Sequence, residues 1–261
     1  MVDRLRRPPS GVVILAYHRV GGGSTSAVDL DTALFDDQMA ELADSDRVMP
    51  LDEAVDLLAH PPLDGGTPEA DPVVVTFDDG TPDVVENALP ILERHRIPIT
   101  LYLATSFVED GLPFWSPDDP VLTWAALAEA TSTGLVEVGS HTHKHVLLDR
   151  ADHDTVIEEL ERSIDLIGTR LDTTADHFAY PKALAPNSAA DLAVRARFDS
   201  AALAGTRANP YHDTDVHRLH RSPIQQGDGM RWFRHKLDGG MGFEDRVRER
   251  VNARRYATAT S

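Results

Sequence analysis

The chain has 261 residues, 41% hydrophobic and 26% charged, the composition of a folded globular protein long enough for one large domain. Its 25 basic residues stand against 43 acidic ones, and the formal charge of -18 argues against nucleic acid or an anionic membrane as the main partner. No cysteine is present, so disulfides, thiolate nucleophiles and cysteine-bound zinc are excluded, and any metal must be held by histidine and carboxylates.

The only lysines are Lys144, Lys182 and Lys236, a scarcity that suits a salt-rich cytoplasm or follows from a GC-rich genome. The start, MVDRLRRPPSG, carries paired arginines, but the apolar run at 12–16 is shorter than the core of a signal peptide. Nowhere do 18 apolar residues run together, so no transmembrane segment is expected and the cytoplasm is the expected location. One domain over 1–261 is expected, with a flexible end at 1–10, a surface loop at 61–72 and a C-terminal helix and tail at 240–261.

Strand-like and helix-like segments alternate along the chain, the pattern of a parallel sheet wrapped by helices. Residues 12–17 read as a buried strand, and Leu34, Phe35, Met39 and Leu42 follow at helical spacing. LDEAVDLLA, at 51–59, opens with acids and reads as a short helix, and PPLDGGTPEADP after it is a loop by composition. The strand VVVTF at 73–77 then runs straight into Asp78, Asp79 and Gly80. Pro82 stands near the start of a helix with Val85, Leu89 and Leu92 on one face, followed by a strand at 97–103 and the loop PFWSPDDP. A helix at 124–130 leads to a strand at 135–139 that ends in SHTHKH, and a long amphipathic helix buries Val156, Leu160, Ile164 and Ile167. HFAYPKA, a helix at 188–197, a strand at 200–204, LHRSPI and an arginine-rich terminal helix, RVRERVNARRY, complete the order. Six or more βα units predict an α/β fold, a barrel or an open doubly wound sheet, in which ligands collect at the carboxyl ends of strands.

The polar residues gather at those ends. Two adjacent aspartates repel each other unless something cationic holds them, and strands disfavour Asp, so Asp78 and Asp79 point to a metal or a catalytic task. Alone, Asp-Asp-Gly is equally a turn. His141 and His145 are four apart, which puts both imidazoles on one side of a helical turn, while His143 is an alternative partner for either in an extended segment. Two histidines and one carboxylate leave open positions on a zinc-like ion, and Co2+, Ni2+ or Fe2+ suit the same donors. Trp115 and Trp124 read as packing residues, although the PFW stretch lies in a loop that can line a groove. His60, His95, His153, His177, His212, His217 and His235 sit among polar residues and receive no role.

In order and spacing, TFDDG, the strand IPITLYL, HTHKH and FAYP resemble the polysaccharide deacetylases, the NodB-homology group of carbohydrate esterase family 4, from about residue 12 to 224. The resemblance implies a distorted (β/α)7-type barrel and one divalent ion, Zn2+ first, held by Asp79, His141 and His145. It implies Asp78 as general base and the backbone N–H of Lys182, in AYPK, as oxyanion donor. The family's arginine is missing from that motif, and Arg221 in LHRSPI is the candidate replacement for orienting the base. The family's C-terminal Leu-x-x-His is also missing, but LAYH at 15–18 has the same form, as in relatives with permuted motif order. His18 is therefore the expected acid, with His220 in reserve. The implied reaction is hydrolysis of an N-acetyl group on an amino sugar of a glycan or glycoconjugate, with no nucleic acid involved. A catalytically inactive carbohydrate-binding relative and a hydrolase of a non-sugar amide are the alternatives.

Overall fold

The computed structural model describes residues 10–61 and 68–239. Most of the 61–72 loop and the predicted C-terminal helix and tail at 240–261 lie outside the described residues. Strands β1 (Gly11–Tyr17), β2 (Arg19–Val20) and β3 (Asp29–Leu30) are followed by helices α1 (Thr32–Ser45) and α2 (Leu51–Ala59). Then come β4 (Val73–Phe77), a π-helical turn, α3 (Leu89–His95), β5 (Ile99–Leu103), α4 (Thr105–Glu109), α5 (Trp124–Ser132) and β6 (Val136–Ser140). Helix α6 (His153–Leu171), β7 (His177–Ala179), α7 (Ser188–Arg195), β8 (Ser200–Ala202), β9 (Asn209–Pro210), β10 (Ser222–Pro223) and α8 (Gly229–Leu237) complete the order. The strand at 97–103 starts two residues later than predicted, after Pro98, which has no N–H for the ladder.

Seven strands lie parallel in the order β10-β1-β4-β5-β6-β7-β8, with β9 antiparallel to β1. The sheet curls until its edges meet. The N–H groups of Leu203 and Gly205, beyond β8, donate to the carbonyls of Leu219 and Arg221, while Leu15 and Ala16 of β1 pair with Ser222 and Pro223. The result is the expected distorted barrel.

Because side chains alternate across a strand, β1 is buried on both faces. Val13, Leu15 and Tyr17 join the larger core beneath the helices, together with Phe35, Met39, Phe77, Leu160 and Phe178. Val12 and Ile14 point the other way, joining Val74, Tyr102, Ala179, Ala202 and Leu219 inside the barrel, where Leu51, Ala54, Val55 and Leu58 of α2 also pack. Helix α2 therefore caps the amino end of the barrel. The carboxyl ends of the strands remain for chemistry.

Candidate active site

After Phe77 the chain turns sharply, with Asp79 and Gly80 in the left-handed region at φ 76° and 84°. Gly80 is required there, since a Cβ would also lie 2.2 Å from a Leu103 methyl. The turn parts the two carboxylates. Asp78 meets Arg221 across the barrel, whereas Asp79 faces the loop after β6, and both are buried.

His141 follows the last residue of β6, but the segment to His145 is not a helical turn. It is a loop in which Thr142 and His145 take left-handed backbones at φ 65° and 58°. Glu159 of α6 accepts the Lys144 N–H at 2.7 Å, and Thr142 Oγ1 accepts the Val146 N–H at 3.1 Å, which hold the loop in shape. Both imidazoles then reach one oxygen, each Nε2 lying 3.6 Å from Asp79 Oδ1. His143 turns away, its Nδ1 2.9 Å from Thr105 Oγ1, so the alternative pairing through it does not form.

These distances fit an ion. Ligands bound at about 2.1 Å to one tetrahedral metal lie about 3.4 Å apart, whereas a hydrogen bond from imidazole to carboxylate would be nearer 2.8 Å. The tautomer also fits: His141 Nδ1 is 2.7 Å from the Ala179 carbonyl, to which it donates, leaving the Nε2 lone pair facing Asp79. Burial pushes His141 down to about 4, and burial followed by the charge of His141 pushes His145 down to about 2, so both rings are neutral near pH 7. Burial first, and then the neighbouring Asp78, push the Asp79 carboxyl up to about 8. A cation between the three groups would relieve that penalty.

Asp78 is held quite differently. Burial would raise its carboxyl too, but the Arg221 guanidinium, helped by His141 and His18, outweighs burial and holds it well below the ordinary carboxylate range. Arg221 donates to both Asp78 oxygens at 2.6 and 2.8 Å, a two-point clamp. The guanidinium is itself held by Thr76 Oγ1 at 3.1 Å, the Leu203 carbonyl at 3.2 Å and the face of Tyr102, with 4.9 Å to the ring centroid. His18, directly after β1, brings its Nε2 to 3.9 Å from Asp78 Oδ2. Burial lowers the His18 pKa, and Asp78 partly offsets this.

All seven predicted residues, His18, Asp78, Asp79, His141, His145, Lys182 and Arg221, line one cavity of 160 Å³. His220 does not; its Nε2 lies 2.7 Å from the Arg207 guanidinium instead. Lys182 follows Pro181 in the left-handed region at φ 55°. Its ammonium stands 5.8 Å above the ring of Trp115, a residue that sequence reasoning treated as packing. Trp115 flanks His18 with ring centroids 6.3 Å apart, and Phe114 packs edge-on against His145 at 5.2 Å. The signal available was the PFW stretch in a βα loop. Trp124 stands apart and donates its indole N–H to Glu109 at 2.8 Å.

A buried carboxylate and two neutral imidazoles at ligand spacing, beside an arginine-clamped aspartate at the carboxyl mouth of a parallel barrel, form a group that could hold a metal ion. The polysaccharide deacetylase family model matches residues 65–201, more than half of the chain, and the protein belongs to that family. The match spans Asp78, Asp79, His141, His145 and Lys182, while His18 and Arg221 lie outside it. A poly-beta-1,6-N-acetyl-D-glucosamine N-deacetylase of Staphylococcus aureus strain MSSA476 is 32% identical over 120 residues, covering 43% of this chain and 40% of the relative. The chain thus matches less than half the length of that relative. Two solved structures share the fold at 22% identity. The Streptococcus pyogenes deacetylase PplD in complex with acetate has a TM-score of 0.75 over 89% of this chain and 99% of its own. IcaB from Ammonifex degensii has a TM-score of 0.73 over 88% and 98%.

Proposed function

We propose that the protein is a metal-dependent hydrolase that removes the N-acetyl group from an amino sugar within a glycan or glycoconjugate. The observation that carries this reading is the pair of 3.6 Å separations joining Asp79 to His141 and His145, next to an aspartate that a buried arginine keeps ionised. We assign Asp79, His141 and His145 as ligands of one divalent ion, Zn2+ first. When bound there, such an ion would supply Lewis-acid polarisation of the amide carbonyl and a water pKa of about 7.

The chain's own residues would do the rest. Asp78, ionised across the working pH range, orients the water and takes its proton. A carboxylate clamped so firmly is a poor resting place for a proton, so Asp78 acts as a relay, and His18, 3.9 Å away, delivers the proton to the leaving amine. The Lys182 N–H supports the oxyanion, a contact typically worth about 100- to 1000-fold in rate. Arg221 holds Asp78 in place. That clamp stands in for the arginine missing from the AYPK motif and so weighs against the inactive carbohydrate-binding alternative.

The name of the S. aureus relative makes β-1,6-linked N-acetylglucosamine oligomers the first substrates to try, with chitooligosaccharides and acetylated non-sugar amides beside them. The expected result is release of acetate and free amine from an amino-sugar substrate, abolished by a chelator and restored by Zn2+ or Co2+. Metal bound at full occupancy with no amine released from any of these substrates would overturn the proposal. Location follows the substrate. A nucleotide- or lipid-linked sugar would fit the cytoplasm expected from the sequence, and cell fractionation decides it; none of the described helices is long and apolar enough to cross a membrane.

A further inference from the structure

Strands β6 and β7, which lead into His141 and Lys182, meet a second polar cluster at their other ends. Glu137 is the second residue of β6 and His177 opens β7, while Asp52 lies in the first turn of α2 below them. At about 3.3 Å per residue, Glu137 and His141 are some 13 Å apart along the strand, so this cluster is separate from the active-site cavity.

His177 is buried to 1% exposure, and its two ring nitrogens have distinct surroundings. Nδ1 is 2.9 Å from Ser200 Oγ. Nε2 is 2.6 Å from Asp52 Oδ1 and 3.5 Å from Glu137 Oε1. The three possible ligand atoms all lie within 4.8 Å of one another. Among the described residues no lysine or arginine pairs with either carboxylate, and Asp176 adds a further negative charge nearby. Glu137 has only a 3.2 Å hydrogen bond from Thr100 Oγ1 besides His177. A proton on Nε2 can serve one carboxylate well. A dication serves both.

Ser200 supplies an observation independent of the carboxylates. Its hydroxyl can accept the Nδ1 proton, which leaves the Nε2 lone pair aimed between Asp52 and Glu137, the outer-shell arrangement that prepares a histidine ligand. The 3.5 Å between Nε2 and Glu137 Oε1 is close to the separation of about 3.4 Å expected of two ligands on a tetrahedral ion. Asp52 sits too close for this, at 2.6 Å, but its side chain is 66% exposed and has room to step back and share the ion. A groove of 760 Å³, lined by Asp52, Thr100, Glu137 and Asp176 among others, gives an ion and its waters a way in.

We propose that Asp52, Glu137 and His177 form a second divalent-cation site, one that pins helix α2 beneath the barrel. One imidazole and two carboxylates suit an ion of the Zn2+ or Co2+ kind, and the amino end of an α/β barrel is where residues serve stability. The site does not depend on the deacetylase reading.

The test is titration of the metal-free full chain with Zn2+ by calorimetry, paired with Co2+ equilibrium dialysis. Wild type should bind two equivalents. Asp52→Asn and Glu137→Gln, each checked for a wild-type circular dichroism spectrum, should keep one equivalent at unchanged affinity and bind the other at least about 100-fold more weakly. His141→Ala, which lies at the other end of the strand, should keep the second equivalent. In wild type the second equivalent should also raise the thermal midpoint, and in Asp52→Asn it should not. A single equivalent in wild type that survives both Asp52→Asn and Glu137→Gln, or two at full affinity in both variants, would overturn the proposal and leave His177 as a hydrogen-bond partner of Asp52.

Discussion

The two ends of the barrel use the same strands for opposite purposes. At the amino end Val12, Val74 and Leu219 close against Leu51 and Leu58 of α2, and burial there is mostly apolar, with Asn209 and the cluster around His177 as polar exceptions. At the carboxyl end Asp78, Asp79, Arg221 and the His141 imidazole are buried around one small cavity, with His145 partly exposed beside them. Burying charge without compensation is costly, and the two aspartates meet that cost in different ways. Asp78 has an arginine on both oxygens, so it is ionised and fixed. Asp79 has no arginine on its oxygens and faces two neutral rings at 3.6 Å, and the charges of Lys182 and Arg221 offset its burial only in part, so it would hold a proton unless a cation took its place. The amino end holds the fold together, and the carboxyl end keeps charge ready for chemistry.

Substitutions that cross this division should separate binding from stability. The largest effect is expected from His141→Ala. Dialysis against Zn2+ followed by metal analysis should find the active-site ion lost, with amine release down by on the order of 1000-fold or more, because the ion carries the activation of water. A variant that keeps both would remove His141 from the ligand set.

Arg221→Met should come next, since it leaves Asp78 buried with no counter-charge. Urea unfolding should register a loss of about 3–5 kcal/mol, and Arg221→Lys should recover only part of it, because an ammonium cannot reproduce the two-point clamp. A loss below about 1 kcal/mol would mean that the guanidinium is not what stabilises Asp78. At the other end, Leu58→Ala should cost about 2–4 kcal/mol by the same assay while kcat stays within about twofold of wild type. A large fall in kcat with intact folding would show that the two ends are not separable in this way.

The smallest effect concerns pH. Between about 4 and 8 the metal-free folded chain holds a proton on Asp79 that the unfolded chain lacks, so stability falls as pH rises through that window. His141 and His145 act in the opposite sense. Their folded-state pKa values are depressed, so their contribution is present above 6.5 and is lost as pH falls below it. These three groups should therefore give metal-free stability a maximum near pH 6.5, contributing about 1.4 kcal/mol per unit on either side, and the lowered His18 steepens the fall on the acid side. Zn2+ affinity should rise about tenfold per unit from 6.5 to 8 as the Asp79 proton becomes easier to displace. A flat calorimetric profile over that range would show that Asp79 is already ionised without metal.

Much of this was legible from local pattern. Strands recognisable by apolar β-branched residues end at Asp78 and at His141, and the rule that ligands gather at carboxyl ends brings those residues together from sequence alone. The same rule found Arg221, 143 residues from its partner Asp78 in the chain. The rationale for the histidine pair failed even though the pair itself came together. A spacing of four suggests a helical turn, but Thr142 and His145 take left-handed backbones, uncommon for any residue but glycine and least expected of the β-branched Thr142. His177 was passed over for a different reason. Its partners Asp52 and Ser200 lie 125 and 23 residues away, and only the pairing of β7 with β8 and the seating of α2 beneath the barrel bring them to its ring. Trp115 was read as packing because an isolated indole in a loop does not reveal which side chains it will stand beside.

The most direct measurement compares Asp78→Asn with Asp79→Asn for bound Zn2+ and for amine release from an N-acetylated amino-sugar oligomer. Asp78→Asn should retain its active-site metal and release almost no amine, whereas Asp79→Asn should lose the metal and the activity together. Full activity in Asp78→Asn, or full active-site metal in Asp79→Asn, would contradict the division of labour between the two neighbouring aspartates.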